Sequence, residues 1–205
     1  MSDAPTVPHE GAMTHATGPD IDALRLLPPR ALRALLADGL PVPDGHLDDH
    51  AFLGVSLGIP HWVERLAWTT FLKCFLRDPD TGRLRGWNVR LRQTGLAGPV
   101  EPLRRRDGEP FSFGHFRVLS AQGYAGPAGT GAGLMLDYGL GGNAPLDPVR
   151  LLRDPLVRLR GSDLLLGWSY LDLGIAIATP SYFALRRQGP LDHTATPARR
   201  PAAGA

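Results

Sequence analysis

The feature that most constrains this chain is a run of short apolar segments between residues 132 and 187, with Gly, Pro, Asn or Asp in every gap. In order they read AGLMLDYGLGGN, PVRLLRDPLVRLRGSDLLLGWSYLDLG and IAIATPSYFALRR. Pieces this short, with turn residues between them, fit strands joined by hairpins and do not fit helices. Leu164, Leu166, Trp168, Tyr170 and Asp172 alternate with Leu165, Gly167, Ser169 and Leu171, the period of a strand. The last clear strand covers residues 181–185.

The alternation begins earlier, at residues 84–92. There Trp87, Val89 and Leu91 share one face, while Asn88, Arg90 and Arg92 share a face expected to be wet. In residues 111–121, Phe111 and Phe113 change parity with Phe116 and Val118 across Gly114, and a glycine bulge there would aim all four inward. A glycine-rich loop then leads into Leu134, Leu136 and Tyr138. Residues 20–77 read as helical. Asp20 caps a segment over 21–27, Pro29 suits the first turn of a helix running to Gly39, and Val63, Leu66, Ala67, Thr70, Phe71, Cys74 and Phe75 fall at helical spacings over residues 60–77.

With no helix-length segment after Arg77, a parallel α/β sheet is excluded. The expected fold is mainly β with an N-terminal helical segment, α+β overall: an antiparallel up-and-down barrel of about eight strands. Closure removes exposed edges, and such a barrel has room for one small ligand. The 205 residues suit one core. Residues 20–187 are expected to form a single domain, a helical segment over 20–77 and the barrel over 84–187, between disordered termini at 1–19 and 188–205.

Charge and cysteine usage exclude several classes. With 22 basic and 20 acidic residues the net charge is +2, too even to announce a nucleic-acid partner; Lys73 is the only lysine. Cys74 is the only cysteine, so no disulfide forms within the chain, which suits a cytoplasmic protein. The Arg, Ala, Gly, Pro and Leu excess matches a GC-rich genome. The first residues lack the pattern of a signal peptide, and no apolar run is long enough to span a bilayer.

Local motifs are weak when set in context. Gly54-Val55-Ser56-Leu57-Gly58 matches a hydrolase nucleophile elbow, but the alternating strands and helices that hold an elbow are missing, so a tight loop is preferred. His46, Asp48, Asp49 and His50 sit in a Pro- and Gly-rich stretch that reads as a solvated turn, with no metal site. Arg104, Arg105 and Arg106 lack nearby stacking aromatics and read as a hairpin tip. The glycines from 139 to 142 precede neither a lysine nor a helix, which argues against a phosphate cradle. Arg153 would anchor a carboxylate if it faced a cavity, and would otherwise pair locally.

The order LDYG at 136–139, Asn143, LLRD at 151–154, LLLGWSYLDLG at 164–174 and SYFAL at 181–185 resembles bacterial proteins of the lipocalin-like, or calycin, barrel group. Gly86-Trp87 stands where that group carries Gly-x-Trp. The resemblance spans about residues 75–187 and implies an up-and-down barrel with an apolar cavity; it brings no catalytic residue and no cofactor. Trp87, Val89, Phe113, His115, Leu136, Tyr138, Trp168, Tyr170, Tyr182 and Arg153 are the expected ligand-binding residues, amphipathic or apolar groups set in apolar strands. Beside Tyr138, Asp137 should face outward and hold a turn.

Three functions fit such a barrel. The first is binding of a hydrophobic or amphipathic small molecule. The second is a cofactor-independent isomerase or cyclase, with Tyr138, Tyr170 and Asp172 as acid-base candidates; it needs polar groups that converge on one place. The third is a non-catalytic interaction protein with a filled barrel, using residues 60–77 to form a homodimer or dock a partner.

Overall fold

A computed structural model describes residues 18–58, 69–127 and 133–199. Two short helices, α1 (Ile21–Arg25) and α2 (Pro29–Ala37), precede eight strands: β1 (His50–Leu57), β2 (Thr70–Arg77), β3 (Leu84–Arg90), β4 (Ser112–Ser120), β5 (Leu134–Asp137), β6 (Leu152–Arg158), β7 (Leu165–Asp172) and β8 (Ala176–Pro190). Each strand pairs antiparallel with its neighbour in sequence, and β8 closes on β1. The protein is therefore an up-and-down barrel of eight strands, as expected, but two of the eight lie before residue 84, where the barrel was expected to begin. Asp20 does cap α1, its Oδ1 accepting from the Ala23 amide at 2.7 Å.

Alternation along each strand gives the barrel an inside and an outside. Inside, Phe52, Phe75, Phe116, Leu136, Leu156, Leu165, Phe183 and Leu185 form one cluster. Phe75 meets Phe52 edge-on at 5.5 Å and Phe116 at the same spacing. Val42 and Leu47, from the segment before β1, complete this cluster. Three inward glycines make room for the rings: Gly54 stands opposite Phe71, Gly86 opposite Phe116 and Gly167 opposite Phe183. A Cβ at any of them would overlap the facing ring, so small and large residues alternate around the small barrel. Gly114 adopts a left-handed φ of 54°, and the β3–β4 register shifts beside it; this is the anticipated bulge, and Phe113 and Phe116 both turn inward.

The outside is apolar too. Leu24, Leu32 and Leu36 of the helices cover Val55, Val157, Leu166, Trp168 and Ala184. Elsewhere Ala51, Leu53, Leu72, Cys74, Trp87 and Val89 are covered by Ala195 and Leu191 of the chain's end.

These outer covers explain three corrections. Residues 70–77, expected to end a helix, are strand β2, and residues 50–57, also placed in the helical segment, are β1. With both faces of β2 buried, apolar residues occur at every spacing, helical ones included, and the period of two is hidden. Residues 59–68 lie outside the described part. The face of β3 expected to be wet carries Gly86 and Asn88 into the barrel, while Trp87 and Val89 point out beneath the chain's end. Finally, residues 188–199 are not a disordered tail. The Leu191 amide donates to Asp49 O at 3.0 Å, the Arg199 amide to Gly142 O at 2.9 Å, and Arg85 Nη1 to Ala195 O at 3.2 Å. A single extended strap has no periodicity for a sequence reading to detect. Residues 1–17 and 200–205 lie outside the described part.

Candidate functional site

One half of the barrel is packed solid and the other is hollow. The hollow half lies at the C-terminal ends of β1, β3, β5 and β7 and forms an open-mouthed cavity of about 220 Å³. Phe71, Phe113, Val149, Leu152 and Phe183 form its apolar lining; Ser56, Ser169, Ser181 and Tyr182 border it; Lys73, Asn88, Tyr138 and Asp154 supply its polar groups.

Those last four come from four different strands or strand ends and converge. Lys73 is the inward residue between Phe71 and Phe75 on β2. Its Nζ donates to Tyr138 Oη at 2.7 Å and lies 3.4 Å from Asp154 Oδ2. Tyr138 in turn donates its hydroxyl to the same Asp154 oxygen at 2.9 Å. Asn88, fixed by donating to Gly114 O at 3.1 Å, reaches Tyr138 Oη at 3.5 Å. Asp154 Oδ1 is buried with no hydrogen-bond partner among the described residues. The rings of Phe183 and Phe116 stand 4.7 and 4.9 Å from the ammonium, close enough for cation–π attraction.

The side chains of Lys73 and Asp154 are each only 2% exposed, and burial governs their chemistry. Desolvation lowers the pKa of Lys73, with the Asp154 carboxylate pulling the other way. Burial, then the neighbouring Asp154, raises Tyr138 well above the ordinary phenol value, so the hydroxyl remains a proton donor. A buried amine brought toward neutrality is the usual route to a nucleophilic lysine.

The residues expected from sequence divide between the two sides of the wall. Tyr138 and Phe113 reach the cavity. Leu136 is inside the barrel but in the packed cluster. Tyr182 borders the cavity and stacks on Trp168 at 5.4 Å. Trp87 and Val89 lie in the outer cluster under the chain's end. His115 is set beside Trp87 at 6.3 Å, and burial, followed by the charges of Arg85 and Arg105, lowers its pKa to about 4. Trp168 is outside under α2, its indole donating to Thr179 O at 2.6 Å; Tyr170 lies 6.4 Å from it.

Arg153 is outside as well, paired with Asp137 at 3.2 Å and Asp172 at 3.4 Å. It is therefore no anchor within the cavity, and Tyr138, Tyr170 and Asp172 do not meet. Asp137 faces outward and holds a turn, accepting from the Leu140 amide at 3.2 Å and the Tyr124 hydroxyl at 2.8 Å.

Lys73, Asn88 and Asp154 were the residues sequence reasoning missed. Their signals were parity, since Lys73 alternates with Phe71 and Phe75, and Asp154 with Leu152 and Leu156, and the singularity of a lone lysine in an apolar strand.

The weaker motifs resolve into structure. Ser56 sits within β1 and borders the cavity, so no nucleophile elbow forms. Asp48 binds the Arg77 guanidinium at 2.9 and 3.0 Å, and Asp49 accepts from the Arg77 amide. Arg104 donates to Gly108 O across the hairpin tip. Asn143, after the glycines, braces the wall by bonding the His115 amide and the His115 and Tyr138 carbonyls.

No protein-family model matches the chain, and comparisons with curated proteins and with solved structures find no match. Among the described residues no helix is long and apolar enough to cross a membrane.

Proposed function

We propose that the barrel binds a small hydrophobic or amphipathic molecule in the manner of lipocalin-like proteins, as a cytoplasmic bacterial protein. The observation that carries this reading is the half-hollow barrel: an apolar cavity whose polar groups are gathered at one place, the arrangement by which binding sites orient a mostly apolar ligand. At about 220 Å³ the cavity falls below the roughly 300–1,000 Å³ of sites for drug-sized ligands. It exceeds the roughly 150 Å³ that holds benzene. A compound with one ring or a short chain and a polar end is the fitting size class.

A second reading, cofactor-independent catalysis, is favoured by the convergence of Lys73, Tyr138 and Asp154 on one side of the cavity. The acid-base set for such an enzyme is these three residues, in place of Tyr170 and Asp172.

Native mass spectrometry of the purified protein, compared with its denatured mass, tests the binding reading. The expected result is a copurifying small molecule, or saturable uptake of an environment-sensitive apolar dye by the emptied barrel. A bare protein that takes up no dye overturns it and favours a filled interaction module or homodimer.

A further inference from the structure

We infer that Lys73 captures the carbonyl group of an aldehyde or ketone ligand as an imine. This deepens the binding reading and rests on it. Lys73 is the only lysine of the chain, and it lines the cavity with Tyr138 and Asp154, the two groups its amine touches.

Its surroundings discriminate between ligand classes. A carboxylate ligand gains little here, because the ammonium already has Asp154 as counter-ion at 3.4 Å and a second carboxylate would be repelled by the first. A phosphate meets the same obstacle more strongly. A carbonyl compound is neutral, so it enters without repulsion and without the desolvation cost of an ion. The product also fits what is present. A protonated imine keeps the positive charge on Nζ, within reach of the Asp154 carboxylate and between the rings of Phe116 and Phe183.

The step balances with the groups that line the cavity. The Nζ lone pair of the neutral amine forms a bond to the carbonyl carbon as the C=O π bond breaks onto oxygen. That oxygen takes a proton and the nitrogen gives one up, leaving a neutral carbinolamine. A second proton lets it leave as water while the nitrogen lone pair forms the C=N bond. Overall, ammonium plus carbonyl gives iminium plus water. Tyr138, with its hydroxyl 2.7 Å from Nζ, is placed to donate to the oxygen. Asp154, whose Oδ2 lies 3.4 Å from Nζ, takes the ammonium proton and returns it. Burial lowers the pKa of Lys73, which increases the neutral fraction that can attack.

The test uses trans-cinnamaldehyde, a benzene ring bearing a short enal, with sodium cyanoborohydride to reduce any imine to a stable amine. The expected result at neutral pH is one adduct per chain, mapped to Lys73 by peptide mass spectrometry. The Lys73→Met/Asp154→Leu double variant should lose that adduct while keeping the native circular-dichroism spectrum and a cooperative unfolding transition, which show that its barrel is folded. Aldehyde that displaces the dye from the native protein yet leaves no adduct on Lys73 overturns the imine and spares the binding reading. Labelling confined to the chain's α-amine does the same. If neither dye nor aldehyde binds, the cavity reading fails and the imine fails with it.

Discussion

Two charged clusters are built on β5 and β6, one residue out of phase with each other, and they are finished differently. Tyr138 and Asp154 point inward, joined by Lys73; Asp137 and Arg153 point outward, joined by Tyr124 and Asp172. The outer cluster is the more nearly closed: its one buried atom without a hydrogen bond among the described residues, Arg153 Nε, still lies 3.2 Å from Asp137 Oδ2. Both Asp137 oxygens accept hydrogen bonds, and Arg153 Nη1 donates to the carbonyls of Arg150 and Leu152 while the guanidinium pairs with two carboxylates. The inner cluster is left open. One Asp154 oxygen serves both Lys73 and Tyr138, and the other has no partner among the described residues. A buried group left unsatisfied is costly, so natural proteins keep few of them. The difference is that the outer cluster ties side chains to backbone carbonyls and amides of the wall, whereas the inner one ties side chains to one another across the barrel and borders the cavity.

The largest effect should come from breaking the inner pair. Lys73→Met leaves Asp154 buried without its cation, which should cost about 3–5 kcal/mol of stability in a denaturant titration. Lys73→Met/Asp154→Leu removes both charges and should recover most of that loss, because a buried ion pair is rarely more stable than apolar side chains of similar volume. If the double variant is as unstable as the single one, the pair is not energetically coupled and the inner cluster is structural after all. Breaking the outer cluster should cost less. Arg153→Ala strands the buried Asp137, which keeps its hydrogen bonds from Tyr124 and Leu140, and the more exposed Asp172, for about 1–3 kcal/mol. Dye uptake by the cavity should not change, since Arg153 is on the far side of β6.

How much of this was legible follows from what each signal depends on. The barrel was readable because alternation and turn residues survive in β3 to β8. β1 and β2 were missed because the helices and the chain's end cover the barrel's outer face; Leu53, Leu72 and Cys74 are as buried as Phe52 and Phe75, so the period of two disappears. The same cover inverted the reading of β3, where Trp87 looked like a cavity wall and Asn88 like a solvent-facing residue. Gly114, by contrast, was read correctly, since a parity change at a glycine has few other solutions. The inner cluster depends on which strands lie across the barrel from one another. Lys73 and Asp154 are 81 positions apart in sequence, and nothing local records that β2 and β6 face each other. The sequence feature that could have pointed there was negative: a lone lysine flanked by phenylalanines at a spacing of two has no wet face to occupy.

The smallest effect tests whether the two clusters are insulated from each other, as their opposite facing implies. Tyr124 is partly buried, and its hydroxyl donates to Asp137 Oδ2 at 2.8 Å. Tyr124→Phe keeps the ring and removes only that bond. Hydrogen bonds to charged groups are worth about 1.5–3 kcal/mol, but Arg153 still pairs with Asp137 and water can reach a partly exposed site, so a loss of about 1 kcal/mol is expected. Dye affinity and Lys73 labelling should both match the native protein. Asp137 and Tyr138 are consecutive, however, and Asp137 also fixes the turn that follows through the Leu140 amide. Any displacement of Asp137 therefore carries Tyr138 with it. A variant that loses little stability but binds or labels poorly would mean that the outer cluster sets the position of the Tyr138 hydroxyl, making it a support for the inner one.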